Sequence, residues 1–266
     1  MDRWARGTVE ITRVPDPDFE LLLPQDEKTS AELRRTRWLA PAWVTQDHSL
    51  RIGSSAILIR TSSAVVLVDP WLAFDDPARL APRLAALRAA GVQPEDVDVV
   101  INTHVDGIGA NVAADGSPTF PRAWYLVPVA ELDDLRAGTH PDARGVDLLG
   151  LAAAGIVEAV SGHEQVVPGV HLEEAPGHNR GHVVVWVSSG GEQAVIVGHL
   201  FLHPAQVASP ETANGDLDPV ALEATRRKLL SRCVDDDVVL IGPLFAAPGG
   251  GKVRPDGATW RLVPTD

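Results

Sequence analysis

The chain is poor in residues that would announce several functions at once. It has one cysteine, one methionine and one tyrosine in 266 residues. A lone cysteine excludes an intrachain disulfide and a thiolate cluster for structural zinc. Flanked by Leu229, Leu230 and Val234, Cys233 reads as a buried residue near a helix end rather than a nucleophile. Lysine occurs only at Lys28, Lys228 and Lys252, no Lys/Arg cluster stands out, and the formal net charge is −13. Nucleic-acid phosphates and anionic membrane surfaces would be repelled, so neither is expected as a partner. No apolar run approaches the roughly 18 residues that a membrane span needs. The first residues lack an apolar stretch ahead of a small-residue cleavage site, so the expected location is the cytoplasm. Scarce Lys beside abundant Ala, Arg, Val and Asp points to a GC-rich, bacterial genome.

What is present is an ordinary globular composition, 45% hydrophobic and 22% charged. A chain of this length can bury most of its unfolded surface in one α/β domain. The expectation is a single domain over 1–266, with 1–35 as an N-terminal extension. Ala56–Arg60 and Ala64–Asp69 are β-branched or apolar runs around Thr61-Ser62-Ser63, which predicts a hairpin. The spacing of Leu80, Leu84 and Leu87 predicts an amphipathic helix over 77–90, closed by Gly91. Strands are predicted at Val97–Ile101, Ala123–Val127, Ile156–Val160 and Val238–Gly242, with a short helix over 129–136. A second hairpin is predicted around Ser188-Ser189-Gly190-Gly191. A helix is expected from Asp218-Pro219 through Leu230, with proline in its first turn. Strands grouped in hairpins, with helices between the groups, predict two sheets covered by helices rather than a doubly wound sheet.

The most informative stretch follows the strand at 97–101: Asn102-Thr103-His104-Val105-Asp106-Gly107-Ile108-Gly109. Two further segments concentrate histidine at strand ends, Ala175-Pro176-Gly177-His178-Asn179-Arg180-Gly181-His182 and Gly198-His199-Leu200-Phe201-Leu202-His203. Gly249-Gly250-Gly251-Lys252 hints at a phosphate loop. Val253 stands where Ser or Thr should bind magnesium, however, and Pro255 opposes a following helix, so it reads as a flexible turn. His48, His140, His163 and His171 lie in polar or turn-like contexts and read as surface residues.

Together these motifs resemble the metallo-β-lactamase superfamily over about residues 35–263, and its lactonase and organophosphate-hydrolase branch most. Asn102–Gly107 resembles the His-x-His-x-Asp-His metal loop, 175–182 a Pro-Gly-His-Thr-Pro-Gly-His turn, and Gly198–Gln206 the segment carrying a bridging Asp. The resemblance implies an α/β fold, an αββα sandwich of two mixed sheets flanked by helices. It also implies seven metal-ligand positions, of which His104, Asp106 and His178 keep the family residue. Asn102, Gly107 and Leu244 stand where the family has His, and His199 where it has the bridging Asp. A dinuclear centre, which needs clustered anionic and imidazole ligands, is therefore not expected.

Two readings follow. One is an enzyme acting on a small organic ligand through His104, Asp106, His178 and His199, with Trp71, Asn102, His203 and Leu244 on the substrate side. Its cofactor is either none or one Zn²⁺ held by His104, His178 and His199, since three imidazoles and water suffice for catalytic zinc. Its chemistry is then ester or lactone hydrolysis with one Zn²⁺, or a metal-free cyclisation, elimination or isomerisation by His-based acid–base catalysis. The other reading is a catalytically silent binding or scaffold protein, in which His104 and His178 persist as hydrogen-bonded pocket residues. A homodimer is compatible with either. His182 is expected to support its turn.

Overall fold

The computed structural model describes residues 1–17, 19–72, 77–107, 109–140, 147–213 and 215–265. Strands and helices are numbered in chain order. The first seven-stranded sheet runs β1 (Arg3–Arg6), β2 (Val9–Pro15), β5 (Ser55–Arg60), β6 (Val65–Val68), β7 (Val99–Ile101), β8 (Trp124–Pro128), β9 (Val157–Val160). The intervening β3 (Leu21–Leu23) and β4 (Leu50–Ile52) form a separate antiparallel pair. The second seven-stranded sheet keeps chain order: β10 (Gln165–Val167), β11 (Val170–Glu174), β12 (Val183–Ser189), β13 (Glu192–Ile196), β14 (Val239–Ile241), β15 (Gly250–Asp256), β16 (Thr259–Pro264). Both sheets are mixed. The β6–β7–β8–β9 run is parallel and the β13–β14 pairing is parallel, while the hairpins are antiparallel.

Alternation along the strands explains the layering. Ile57, Ile59, Val66, Val68 and Ile101 of the first sheet face Val183, Val185, Val187, Ile196 and Ile241 of the second in one buried cluster. Their neighbours in sequence point the other way. Ala56, Leu58, Leu67, Val100 and Tyr125 pack under helices α2 (Leu80–Ala89), α3 (Val129–Ala137) and α4 (Asp147–Ala153) through Leu87, Leu132, Leu135, Leu148 and Leu151. Val184, Trp186, Val195 and Leu240 pack under α1 (Glu27–Arg35), α5 (Ala205–Ala208) and α6 (Pro219–Asp235), the last through Leu222, Leu229, Leu230 and Cys233. The architecture is the αββα sandwich expected. The α6 N-terminus is capped as its sequence suggests, the Asp218 carboxylate accepting from Val220 N and Ala221 N. Cys233 is buried, which pushes its thiol up to about 12 and removes it as a nucleophile.

Three expectations change. Residues 3–15, placed in an extension, are two strands of the first sheet, and Trp4 and Ile11 belong to the core between the sheets. Gly250 and Gly251 are strand residues of β15, not a flexible turn. Side chains would collide there, since a Cβ on Gly250 would lie 2.7 Å from Leu240 O and one on Gly251 would lie 2.2 Å from Val263 O. His140 is not at the surface: its side chain is 4% exposed, with Nε2 3.0 Å from the buried Glu131 carboxylate. Among the described residues, no helix is long and apolar enough to cross a membrane.

Candidate metal centre

The strands of both sheets end at one edge of the sandwich, and the polar residues sit just beyond those ends. β7 stops at Ile101 and is followed by Asn102, Thr103 and His104, all fully buried. β11 and β12 are joined by the turn that carries His178, and β13 leads into a 3₁₀ turn at Gly198–Leu200 that carries His199. Val183 N donates to Thr103 O at 2.9 Å, tying the two sheets together beside the site. Gly198 makes the close approach possible. At φ +53°, a Cβ there would lie 2.4 Å from Thr103 Oγ1 and 2.7 Å from His182 Nε2.

The hydrogen bonds fix which ring nitrogens face inward. Thr103 N and Oγ1 donate to the two carboxylate oxygens of Asp69 at 2.8 and 2.7 Å. With its hydroxyl proton committed to Asp69, Thr103 Oγ1 accepts from His104 Nδ1 at 2.9 Å. On the other side, His178 Nδ1 donates to Asp216 Oδ1 at 2.7 Å. A neutral ring held in this way carries its lone pair on Nε2, and the buried Nε2 atoms of His104 and His178 have no hydrogen-bond partner among the described residues. Asp106 Oδ2 lies 3.9 Å from His178 Nε2, adding a carboxylate to the same space. The His182 ring serves the framework, Nε2 accepting from His199 N at 3.1 Å.

Burial, then the neighbouring imidazoles of His199, His178 and His182, hold the His104 pKa well below 6.5, so this ring is neutral at pH 7. Burial pushes Asp69 up to about 7 against the lowering effect of its two Thr103 donors. Among the described residues, His104, His178 and His199 form a group whose ligand atoms all lie within 4.8 Å of one another. Zinc–nitrogen bonds are about 2.0–2.1 Å, so one ion would need only about an ångström of side-chain closing. Unpartnered imidazole nitrogens next to a carboxylate suit a cation. The donor set could hold a metal ion.

A cavity of about 480 Å³ opens over this cluster. Asp106, Gly107, His178 and His199 form its polar end, and Leu21, Leu23, Leu50, Ile52, Leu72 and Leu244 much of its walls. Of the residues expected on the substrate side, His203 and Leu244 line this cavity. His203 is locked, donating from Nε2 to Trp43 O at 2.8 Å and accepting Ala205 N–H at Nδ1 at 3.0 Å. Burial lowers its pKa to about 4. Trp71 and Asn102 are held away from the cavity. The Trp71 indole N–H donates to Val14 O, and the Asn102 amide accepts from Asn111 Nδ2 at 2.8 Å while donating weakly to Leu126 O. Reading the sequence missed Asp216, Glu131 (which accepts Val105 N at 3.0 Å) and the role of Asp69 with Thr103. Asp216 and Glu131 lie outside every motif. Only Asp69, at a strand end, carried a local signal.

Residues 51–107 match the family model of the metallo-beta-lactamase superfamily. The structure aligns over 100% of this chain with AidC, described as a dizinc quorum-quenching lactonase in complex with a product, over 97% of that chain at TM-score 0.83 and 18% identity. This chain has the metallo-β-lactamase fold. A second structure, the hydrolase AbOPH of the beta lactamase superfamily, aligns over 99% of this chain and 97% of its own at TM-score 0.80 and 21% identity. A third, an N-acyl homoserine lactone hydrolase with the product N-hexanoyl-L-homoserine at its catalytic metal centre, aligns over 91% and 94% at TM-score 0.63 and 14% identity. No curated protein matches the chain in sequence. The cluster at the sheet edges therefore sits in a fold whose solved examples include metal-dependent lactonases and hydrolases.

Proposed function

We propose that the protein is a single-metal hydrolase of neutral esters or lactones that carry an apolar group. The observation that supports this reading best is the pair of bare, buried Nε2 atoms of His104 and His178, each with its Nδ1 occupied by a fixed partner, facing the same space as His199 and Asp106. His104, His178 and His199 would hold the ion. Bound there, zinc supplies a Lewis acid for a carbonyl oxygen and lowers the pKa of water.

The chain's own residues supply the rest. The Asp106 side chain is 42% exposed and reaches the cavity floor, placed to take a proton from an attacking water. The leucine and isoleucine walls hold an apolar group and exclude water. No Lys or Arg lines the cavity among the described residues, and Asp106 would repel a carboxylate or phosphate, so a neutral substrate fits best. Among the described residues, Gly107 and Leu244 bring no donor side chain to the cavity they line, which supports a single ion.

Elemental analysis of dialysed protein, together with hydrolysis of a panel of neutral lactones and esters, tests this. One zinc per chain and turnover abolished by chelation are expected. Two tightly bound equivalents overturn the single-metal reading. One equivalent with no hydrolysis anywhere in the panel moves the protein to a silent binding role.

A further inference from the structure

The turn carrying His178 is clamped by a segment that belongs to no motif. Leu217 N donates to His178 O at 3.0 Å and Asp218 N to Gly177 O at 2.9 Å, so the backbone on either side of the His178 α-carbon is tied to residues 217–218. Gly177, at φ +130°, is pressed against the start of α6, where a Cβ would lie 2.3 Å from Leu222 Cα. From the same segment the Asp216 carboxylate, 1% exposed, reaches His178 Nδ1 at 2.7 Å. The segment is itself held from below. The buried Arg226 guanidinium donates to Leu200 O, Pro210 O and Thr212 O; burial lowers its pKa to about 10, against the raising effect of Asp216.

A buried carboxylate is costly to desolvate and is retained where it is paired and hydrogen-bonded. Here its chemical consequence is specific. A carboxylate has no proton to give, so the ring must donate from Nδ1, and a neutral imidazole that donates from Nδ1 has its lone pair on Nε2. We infer that Asp216 is the positioning residue that fixes the tautomer of His178, with Pro210, Thr212, Leu217, Asp218 and Arg226 as its mount. The inference rests on the single-metal reading only for its zinc readout; the tautomer itself is a property of the metal-free protein.

The test uses full-length protein labelled with ¹⁵N-histidine, measured without metal at pH 8, and then titrated with zinc ion against a chelator. Wild-type protein is expected to show His178 with a pyrrole-type Nδ1 and a pyridine-type Nε2. In Asp216→Asn the amide can donate to Nδ1, so the Nε2–H tautomer should appear and zinc affinity should fall about 10- to 100-fold, the usual effect of losing such a partner. Asp218→Ala is the control: it removes the α6 cap, whose oxygen accepts from Val220 N and Ala221 N, without touching the ring. It should lower stability and leave the tautomer unchanged. An Nε2–H ring in the wild type overturns the inference, as does an Asp216→Asn protein with the wild-type tautomer or an Asp218→Ala protein with an equal shift. If zinc fails to bind the wild type while the tautomer changes as expected, the single-metal reading falls and the assignment of Asp216 stands.

Discussion

Asp69→Asn is the perturbation whose consequences can be followed furthest. Asp69 is fully buried and its carboxyl is pushed from 3.8 up to about 7, mainly by desolvation. The sign follows from linkage. Between pH 4 and pH 7 the folded protein binds this proton and the unfolded chain does not, so stability falls as pH rises through that window and is level above it. The gap of about three pH units, at 1.36 kcal/mol per unit, amounts to about 4 kcal/mol. Exposed or half-exposed acids shifted downward, such as Glu164 at about 2, act in the opposite direction and mostly below pH 4. The difference between wild type and Asp69→Asn cancels them. Urea unfolding at half-unit steps from pH 4 to 8 should show the variant gaining about 4 kcal/mol relative to wild type across the window. A difference curve level to within about 1 kcal/mol would refute the reasoning.

The same substitution reaches the metal cluster. With Asp69 ionised, Thr103 Oγ1 donates to it and accepts from His104 Nδ1. Asn or a protonated Asp can instead donate to Thr103 Oγ1, freeing the hydroxyl to donate to His104 Nδ1. The ring then carries its proton on Nε2 and loses the lone pair that faces the cavity. Zinc affinity of the wild type should therefore rise with pH through about 7, and Asp69→Asn should bind weakly at every pH.

Other outcomes are sharp enough to check. His104→Ala and His199→Ala should each reduce turnover about 10²-fold or more once a substrate is found, the scale expected of a positioned acid or base or a lost ligand. His182→Leu leaves His199 N–H buried without its acceptor, so urea unfolding should report a loss of about 1–3 kcal/mol. Gly177→Ala, which must place a methyl 2.3 Å from Leu222 Cα, should lose at least about 2 kcal/mol in the same assay and weaken zinc binding by displacing His178.

The parts of the fold that were legible are those where the core enforces a period. Ile57, Ile59, Val183, Val185 and Val187 face one buried layer while Leu58 faces a second and Val184 and Trp186 a third, so these strands read as unbroken apolar runs. β2 also alternates, with Val9 and Ile11 in the core between the sheets. Its charged members disguise it as an extension, because Arg13 is buried against Asp2 and against Phe245 O from a remote part of the chain. The glycines of β15 mislead for a similar reason: the backbone that crowds Gly251 belongs to β16, and local sequence does not say whether a glycine is there for freedom or for lack of room. His140 read as a turn residue because its acceptor, Glu131, lies on the preceding helix with no spacing rule linking the two.

At the site, sequence could locate His104, His178 and His199 because motifs sit at strand ends, but it could not say which nitrogen each ring offers. That is decided by Asp69 and Thr103 for one ring and by Asp216 for another, two unrelated devices, one at the end of a strand of the first sheet and one just ahead of α6. Each neutral ring has two tautomers, and surface or packing histidines have no reason to agree. Agreement here costs two buried carboxylates, which a site serving only to fill space would have no cause to keep. Asn102 shows the contrast. Its amide spends its oxygen on Asn111 and its nitrogen on Leu126 O, closing the loop instead of facing the cavity. The unpartnered Nε2 atoms of His104 and His178 thus belong to rings that border one space, and lone pairs gathered there would be stabilised by a positive charge between them.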